Sequence, residues 1–229
     1  MCITFITWHT KRIPSMDEIV KQALAKWPNV PHCTGWLLLD RRGQWRMRDD
    51  ATQAAGLPGD IIRHDALLGF INRNYAADGD GQWFFQNGPQ RVYVELGYTP
   101  WIVRLSEMDA ATDAATDAAT DVATDSATAG SLLLTDHAGG RFEPTEVWLD
   151  DEGGVLFSDG SDASSEAPRV AALHDHDLDL FSTHADLDDN GGVFHFAAGV
   201  DLTLQHIERA DVPGKFGFVT SPAAKAAAS

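Results

Sequence analysis

The chain has 229 residues, of which 44% are hydrophobic and 22% are charged; this ordinary globular usage predicts a packed core. It excludes collagen-like, mucin-like and fully disordered proteins, and no apolar run reaches the roughly 18 residues that a membrane-spanning helix needs. The formal net charge of −17 is unevenly divided, because residues 1–108 hold 12 Lys and Arg against 11 Asp and Glu, whereas residues 109–229 hold 5 against 23. We therefore expect neither nucleic acid nor an anionic membrane as a partner.

The cysteines and the first residues predict a cytoplasmic protein. Cys2 and Cys33 lack metal-ligand spacing and are too few for a disulfide framework, which favours a reducing compartment. The basic residues of segment 1–12 follow its apolar stretch, the reverse of the order in a secretory signal. Either Met1 or Met16 is the start of the natural chain, because helix signals begin beside Met16.

The first predicted element is a helix that ends at Pro28. Ser15 and Glu18 have the spacing of a capping box, in which the serine caps the helix and the glutamate reaches back to it. Proline lacks the amide hydrogen that a helix interior needs, so Pro28 is a natural stop. After this helix we predict, in chain order, strand Trp36 to Asp40, a return strand around Trp45, a helix near His64 to Asn74, a turn at residues 78–81, and strands Gln82 to Gln86, Arg91 to Leu96 and Trp101 to Leu105.

Residues 109–138 are predicted to be a low-complexity acidic linker rich in Ala, Thr and Asp. Aspartates recur every four residues from Asp109 to Asp125, and in a helix they would form one repelling stripe. Threonine is also a poor helix former, and nothing there builds an apolar face. Residues 1–108 are then the first domain, residues 139–219 a second and acidic domain, and residues 220–229 a disordered tail.

The second domain repeats the pattern of the first at a constant offset of 110 residues. Leu39-Asp40 falls on Leu149-Asp150, His64-Asp65 on His174-Asp175, and Phe84 on Phe194. The predicted fold is therefore α+β, with two structurally related halves, each an antiparallel sheet packed on a short helix. The elements predicted for the second half are strands Val147 to Asp150 and Val155 to Phe157, a helix near His174 to His184, and strands Val193 to Ala197, Asp201 to Ile207 and Phe216 to Val219.

Three segments carry a resemblance to known families: residues 35–40 (Gly-Trp-Leu-Leu-Leu-Asp), residues 63–68 (Arg-His-Asp-Ala-Leu-Leu), and residues 81–94, which run from Gly-Gln-Trp-Phe-Phe-Gln to Arg-Val-Tyr-Val. Together with the following Thr-Pro-Trp, they resemble uncharacterised bacterial families classified as domains of unknown function. One such kind of protein has two related α+β halves. The resemblance implies a signalling or ligand-sensing role, and it supplies no catalytic residue.

An amide-rich turn in the first half is the candidate ligand site. Gln86, Asn87, Gln90 and Arg91 precede or begin an apolar strand and offer several donors to a small polar or anionic ligand. Arg73 and Trp101 are the candidate walls of such a pocket. The second half lacks this turn, as expected for a site that belongs to one copy. The alternative interpretation is an ordinary exposed turn at Asn87-Gly88-Pro89, with the large aromatic residues in the core.

The His-Asp pairs suggest either metal binding or helix capping. Consecutive residues of a helix point in different directions around it, so we interpret His64-Asp65 and His174-Asp175-His176 as structural and predict no resident metal or cofactor. Three functions remain open. The first is a non-enzymatic small-ligand-binding or signalling module. The second is a metal-assisted hydrolase that uses His174, His176 and acidic neighbours, and the third is an acidic module that binds a basic protein.

Overall fold

The structure is a computed structural model of the chain, and it describes residues 17–27, 29–108, 132–160, 169–188 and 191–227. It is a mixed α+β fold, mostly strands in a six-stranded and a nine-stranded sheet with a few short helices. The longest helices in these ranges have nine residues, far fewer than a bilayer crossing requires. Buried apolar residues from both sheets form one continuous core.

The helices are short and lie against the sheets. The predicted first helix is present as α1, whose N-cap is Asp17; Ser15 and Pro28 lie outside the described residues. The predicted helix near His64 to Asn74 is present with these two residues as its N-cap and C-cap. The helices are α1 (Glu18–Lys26), α2 (Asp50–Ala54), α3 (Asp65–Arg73), α4 (Leu178–Thr183), α5 (Val212–Phe216) and α6 (Pro222–Ala227), and 3₁₀ turns precede α4 (Asp175–Asp177) and α5 (Arg209–Asp211).

The six-stranded sheet contains β1 (Cys33–Leu39), β2 (Trp45–Met47), β3 (Asp60–Ile61), β4 (Tyr75–Ala77), β5 (Trp83–Asn87) and β6 (Gln90–Leu96), in the order β3-β2-β1-β6-β5-β4. Its central pair, β1 and β6, is parallel and the other pairs are antiparallel. The prediction of purely antiparallel sheets is therefore wrong. The long connection through α3 allows the chain to return in the same direction, which a tight hairpin does not.

The nine-stranded sheet contains β7 (Trp101–Glu107), β8 (Leu132–Asp136), β9 (Arg141–Phe142), β10 (Glu146–Asp150), β11 (Val155–Ser158), β12 (Val170–Leu173), β13 (Ala185–Asp188), β14 (Gly191–Ala197) and β15 (Val200–Ile207). Its order is β13-β14-β15-β10-β11-β12-β7-β8-β9. The pairs β10–β15 and β7–β12 are parallel.

One strand order occurs twice, since β3-β2-β1-β6-β5-β4 corresponds to β12-β11-β10-β15-β14-β13. The register agrees as well: Leu37 lies opposite Val94, and Val147 lies opposite Leu204, with both partners shifted by 110 residues. The offset slips by one residue in two strands, β12 and β14. The predicted match of Phe84 with Phe194 is wrong by one residue, because Phe194 lies opposite Ala185 as Phe85 lies opposite Tyr75. A β-bulge after His195 restores the offset.

The last segment of each half joins the sheet of the other half. β7, predicted to extend the first sheet, pairs with β12 and β8 instead. Residues 216–219, predicted to be a strand of the second half, end α5 and then return to the first sheet, where Val219 pairs with Gln82. The Glu95 carboxylate accepts hydrogen bonds from Ser221 Oγ (2.6 Å) and from the Ala223 amide (3.0 Å).

Two predicted irregular segments contain regular structure where the chain is described. Residues 132–136, at the end of the predicted linker, form β8, while residues 109–131 lie outside the described ranges. The predicted tail forms α6 over Pro222–Ala227, and residues 228–229 lie outside the described ranges. Alternate side chains of β8 are buried, which explains the strand, since this alternation puts one face of β8 in the core.

Four hairpin turns share the pattern Asp-x-x-Gly, and we call them the Asp turns. In each, Oδ1 of the aspartate accepts the amide hydrogens of the residues two and four positions later. The glycine donates its amide hydrogen to the carbonyl of the aspartate, at a positive φ that favours glycine. Each Oδ2 binds a side chain outside its turn. The turns span residues 40–43, 78–81, 136–139 and 150–153, and the Oδ2 partners are, in the same order, Arg46, Tyr93 with Gln82, Arg169, and Tyr98 with Arg209.

Candidate functional site

The predicted hairpin site lies at the turn between β5 and β6. Gln86 is fully buried, with Nε2 donating to the Gly88 carbonyl (2.9 Å), and Gln90 donates to the Pro31 carbonyl (3.1 Å). The Arg91 guanidinium lies 4.4 Å from the centre of the Phe84 ring, and Asn87 is exposed. Local contacts therefore engage Gln86 Nε2, Gln90 and Arg91, while the buried Oε1 of Gln86 has no hydrogen-bond partner among the described residues.

The other two predicted residues lie elsewhere. Arg73, at the end of α3, forms an ion pair with Asp17 at the start of α1 (Nε–Oδ1, 3.3 Å). Trp101 is buried in a cluster of rings, with its centre 5.2 Å from that of His137 and 5.5 Å from that of Tyr75. Within the described residues, no hydrogen bond, ion pair or ring contact joins Arg73 or Trp101 to residues 86–91.

A cavity of about 380 Å³ lies where the β1–β2 turn and the start of α3 meet the β8–β9 turn, and we call it the junction pocket. None of the six predicted site residues lines it, although Trp101 packs against His137 behind it. Its lining residues come from both halves of the chain: Gly43, Gln44, Trp45, Ile61, Ile62, Arg63, Asp65, Leu68, Asn72 and His137.

His137 gives the junction pocket an unpaired hydrogen-bonding atom. Its Nδ1 accepts the amide hydrogen of Ile102 (3.3 Å), so the neutral ring carries its proton on Nε2. Nε2 is buried and has no hydrogen-bond partner among the described residues. Burial also lowers the pKa of His137 to about 4, which keeps the ring neutral at physiological pH.

Two charged side chains stand at the rim of the junction pocket. Arg63 and Asp65 are exposed, and neither side chain forms a hydrogen bond or ion pair within the part of the chain that the structure describes. Two other lining residues bind each other: Asn72 Oδ1 accepts the indole hydrogen of Trp45 (2.7 Å), which fixes the orientation of both side chains. The pocket thus combines a neutral donor with an unpaired cation and an unpaired anion.

The sequence contains a signal for this pocket that the sequence analysis missed. His137 lies in the segment assigned to the linker, yet it is the second residue of Asp136-His-Ala-Gly139, an Asp turn like Asp40-Arg-Arg-Gly43. Recognising the shared pattern predicts a hairpin at residues 136–139. Nothing local predicts that this hairpin packs on the first half, because that contact joins residues far apart in the chain.

The His174 cluster is the second group of chemically capable side chains. His174, rather than the adjacent aspartate, is the N-cap: its Nδ1 accepts the amide hydrogen of His176 (3.1 Å), as His64 Nδ1 accepts that of Leu67 at α3. One ligand atom from each of His174, Asp175 and His176 lies within 4.8 Å of the others. The Asp175 carboxylate also pairs with Arg42 of the first half (Nη2–Oδ2, 2.6 Å).

Comparison with known proteins gives a family without an established activity. No curated protein matches the chain. Among solved structures, the chain is similar to a DUF1285 family protein from Silicibacter pomeroyi DSS-3, with 14% identity, coverage of 86% of this chain and 90% of that one, and a TM-score of 0.42. Residues 16–223 match the family model DUF2944, described as a protein of unknown function (DUF2946). The resemblance to families of unknown function is thereby confirmed, and the chain belongs to the DUF2944 family.

Proposed function

We propose that the protein is a non-enzymatic small-ligand-binding module and that the junction pocket is its ligand site. The observation that carries this proposal is the buried, unpartnered Nε2 of His137 at the wall of a cavity. A buried donor without an acceptor costs about 1–3 kcal/mol. A ligand oxygen that accepts this hydrogen removes that cost, and this makes the free energy of binding more favourable.

The lining indicates the kind of ligand. A volume of about 380 Å³ is near the small end of the range for ligand pockets, which suits a compact metabolite. Arg63 offers a fork of donors to a carboxylate or phosphate, and His137 offers one more donor. A small polar ligand with an anionic group satisfies both residues. Control of a signalling partner by such a ligand is the cellular role that this proposal favours.

The test is a thermal-shift screen of small metabolites, nucleotides and anions with two matched variants. Arg63→Gln removes the cation of the junction pocket, and Arg91→Gln makes the same change at the predicted hairpin. We expect wild-type hits that Arg63→Gln abolishes and Arg91→Gln preserves. The opposite pattern assigns the ligand to the hairpin, and a screen without hits contradicts a binding role.

A metal-assisted hydrolase is the second candidate, because the His174 cluster supplies nitrogen and oxygen ligands close together. Burial lowers the pKa of His174, which favours the neutral imidazole that a metal needs. A divalent ion held by His174, Asp175 and His176 would acidify a bound water molecule and so supply a nucleophile. Zinc titration followed by calorimetry is the test, with His176→Ala as the variant and the exposed His206→Ala as its control. Wild type without saturable zinc binding, or equal loss in both variants, contradicts this candidate.

The remaining proposals concern origin, location and partners. The repeated strand order and the shared register support an internal duplication of one α+β unit. Cys33 is a free thiol, which accords with a reducing cytoplasm. The excess of acidic residues after position 108 supports an additional role in binding a basic protein. Copurification at low and high salt tests that role, since screening weakens such a contact.

A further inference from the structure

A second cavity, of about 520 Å³, lies at the carboxyl ends of the parallel strands β10 and β15. Trp148 of β10 forms part of the cavity wall, and the 3₁₀ turn Arg209–Asp211 and helix α5 form the rest. We call it the strand-end pocket. It shares no lining residue with the junction pocket, so it is a separate site. Its charged and titratable lining residues are Asp151, His206, Glu208, Asp211 and Lys215.

The carboxylates of the strand-end pocket are largely unneutralised. The Glu208 and Asp211 side chains are exposed and form no hydrogen bond or ion pair within the described part of the chain. Asp151 accepts only the backbone amide hydrogen of Arg209 (2.7 Å). Lys215 is the single ammonium group of the lining, so three carboxylates face one cation. A ligand with positive charge is therefore favoured over an anion.

Trp148 adds two independent features. Its ring already carries a cation, because Lys215 Nζ lies 4.1 Å from the ring centre, in the geometry of a cation–π contact. The side chain is only 7% exposed, and its indole nitrogen is buried with no hydrogen-bond acceptor among the described residues. Trp148 thus supplies an aromatic face that holds an ammonium group and a buried N–H that lacks a partner among the described residues.

We propose that the strand-end pocket binds a small organic ammonium ligand that also carries a hydroxyl or carbonyl oxygen. The ammonium group replaces Lys215 over the Trp148 ring and is neutralised by Glu208 and Asp211, while the ligand oxygen accepts the indole hydrogen. Lys215 then turns away from the ring to the solvent. The ligand must be a cation, because an uncharged ligand gains no electrostatic stabilisation from the carboxylates.

Choline is the probe, because it joins a quaternary ammonium to a hydroxyl group, and 3,3-dimethyl-1-butanol is its uncharged isostere. Binding is measured by calorimetry on the full chain and by the indole N–H signal of Trp148, which Trp148→Phe identifies. We expect saturable choline binding that shifts this signal, and no binding of the isostere. Absence of choline binding, or equal binding of the isostere, overturns the proposal.

Matched variants locate the site. The double variant Glu208→Gln/Asp211→Asn should weaken choline binding by about tenfold or more. Its control, Asp60→Asn/Asp80→Asn, makes the same charge change at exposed carboxylates outside the pocket and should leave the affinity within about twofold. Lys215→Gln should strengthen binding, since it frees the ring. Equal weakening in both double variants, or no gain from Lys215→Gln, places the cation elsewhere. Calorimetry on these surface variants suffices if Trp148→Phe does not fold.

Discussion

The two halves share a strand order but differ at one edge, and this edge is where the junction pocket forms. β3 has two residues and, among the described strands, no neighbour beyond β2, whereas its counterpart β12 has four and is flanked by β7. Ile61 and Ile62 line the pocket, while their register counterparts Ala172 and Leu173 are buried in the sheet. A repeated scaffold therefore produces a cavity where one copy lacks the strand that covers the other.

The corresponding Asp turns at residues 40–43 and 150–153 are also buried to different extents. Asp150 has a fully buried side chain that binds Tyr98 of the first half (2.7 Å) and Arg209 (2.8 Å). Asp40, its counterpart, has a 17% exposed side chain and binds Arg46 (2.6 Å) within its own hairpin. Because the two turns share one geometry, a comparison of Asp40 with Asp150 separates the contribution of the turn to stability from that of the buried charge.

The largest expected effect is therefore the difference between Asp150→Ala and Asp40→Ala. Loss of Asp150 leaves the Arg209 guanidinium without its buried partner, which should lower the free energy of unfolding by about 3–5 kcal/mol. Loss of Asp40 removes a turn acceptor and a partly screened pair, and about 1–2 kcal/mol is expected. Urea denaturation measures both. Equal losses would show that the turn alone sets the cost.

Acid should weaken the Asp150 contact selectively. Burial raises the pKa of Asp150, but the hydrogen bonds from Tyr98 and Arg209 outweigh it and the pKa is lowered. A carboxyl group with a lowered pKa stabilises the folded chain at neutral pH, and this stability is lost as the pH falls below the unfolded value of about 3.9. Asp150→Asn should therefore reduce the loss of stability in this acid range.

A second pH effect belongs to His137 in the junction pocket. The pKa of His137 is about 4 when folded, below the unfolded value of about 6.5, so the stability from its neutral ring is complete above pH 6.5. It should fall by up to about 3 kcal/mol as the pH drops towards 4. Urea denaturation across this range measures the slope. His137→Phe keeps a ring in place and should flatten it; an unchanged slope would contradict the assignment.

The C-terminal segment that returns to the first sheet should contribute less to the free energy of unfolding. Glu95 on β6 anchors the start of α6, whereas its register counterpart on β15 is Gln205. Glu95→Ala should reduce the free energy of unfolding by about 1–3 kcal/mol, because Ser221 Oγ and one amide lose their acceptor. Amide hydrogen exchange should show faster exchange in α6. Unchanged exchange would mean that packing alone holds this helix, and Gln205→Ala is the control.

The exposed bridge between the halves is expected to matter least. Arg42 and Asp175 are about half exposed, so water screens their ion pair. A double-mutant cycle with Arg42→Gln and Asp175→Asn should give a coupling free energy below about 1 kcal/mol. A much larger value would indicate that this bridge, rather than the buried Asp150 contact, fixes the two halves together.

Local features of the fold could be predicted from the sequence, and partners far along the chain could not. The turn at residues 78–81 and the helix bounded by His64 and Asn74 depend on capping and turn residues that lie close together. The sequence predicts the wrong neighbour for β7, because most of its residues are buried and a continuous apolar run does not specify which strand it pairs with. The return of residues 216–219 to the first sheet has no local signal either.

The candidate sites show the same limit. Polar residues that are adjacent in sequence predict a site at the hairpin, yet Gln86 and Gln90 donate hydrogen bonds to the Gly88 and Pro31 carbonyls. The junction pocket instead joins Arg63 to His137, which are brought together only by packing. An unpaired buried nitrogen is a property of the assembled fold, so no spacing in the sequence reveals it.

The Asp turns divide the two oxygens of one carboxylate between neighbouring amides and a side chain outside the turn. Hairpins close within microseconds, long before distant strands meet. We therefore expect each aspartate to be positioned by its own turn first and then to present a fixed acceptor to Arg169, Arg209 or a tyrosine. Assembly of the two sheets thus begins from anchors that are already oriented, which reduces the number of arrangements the late contacts must search.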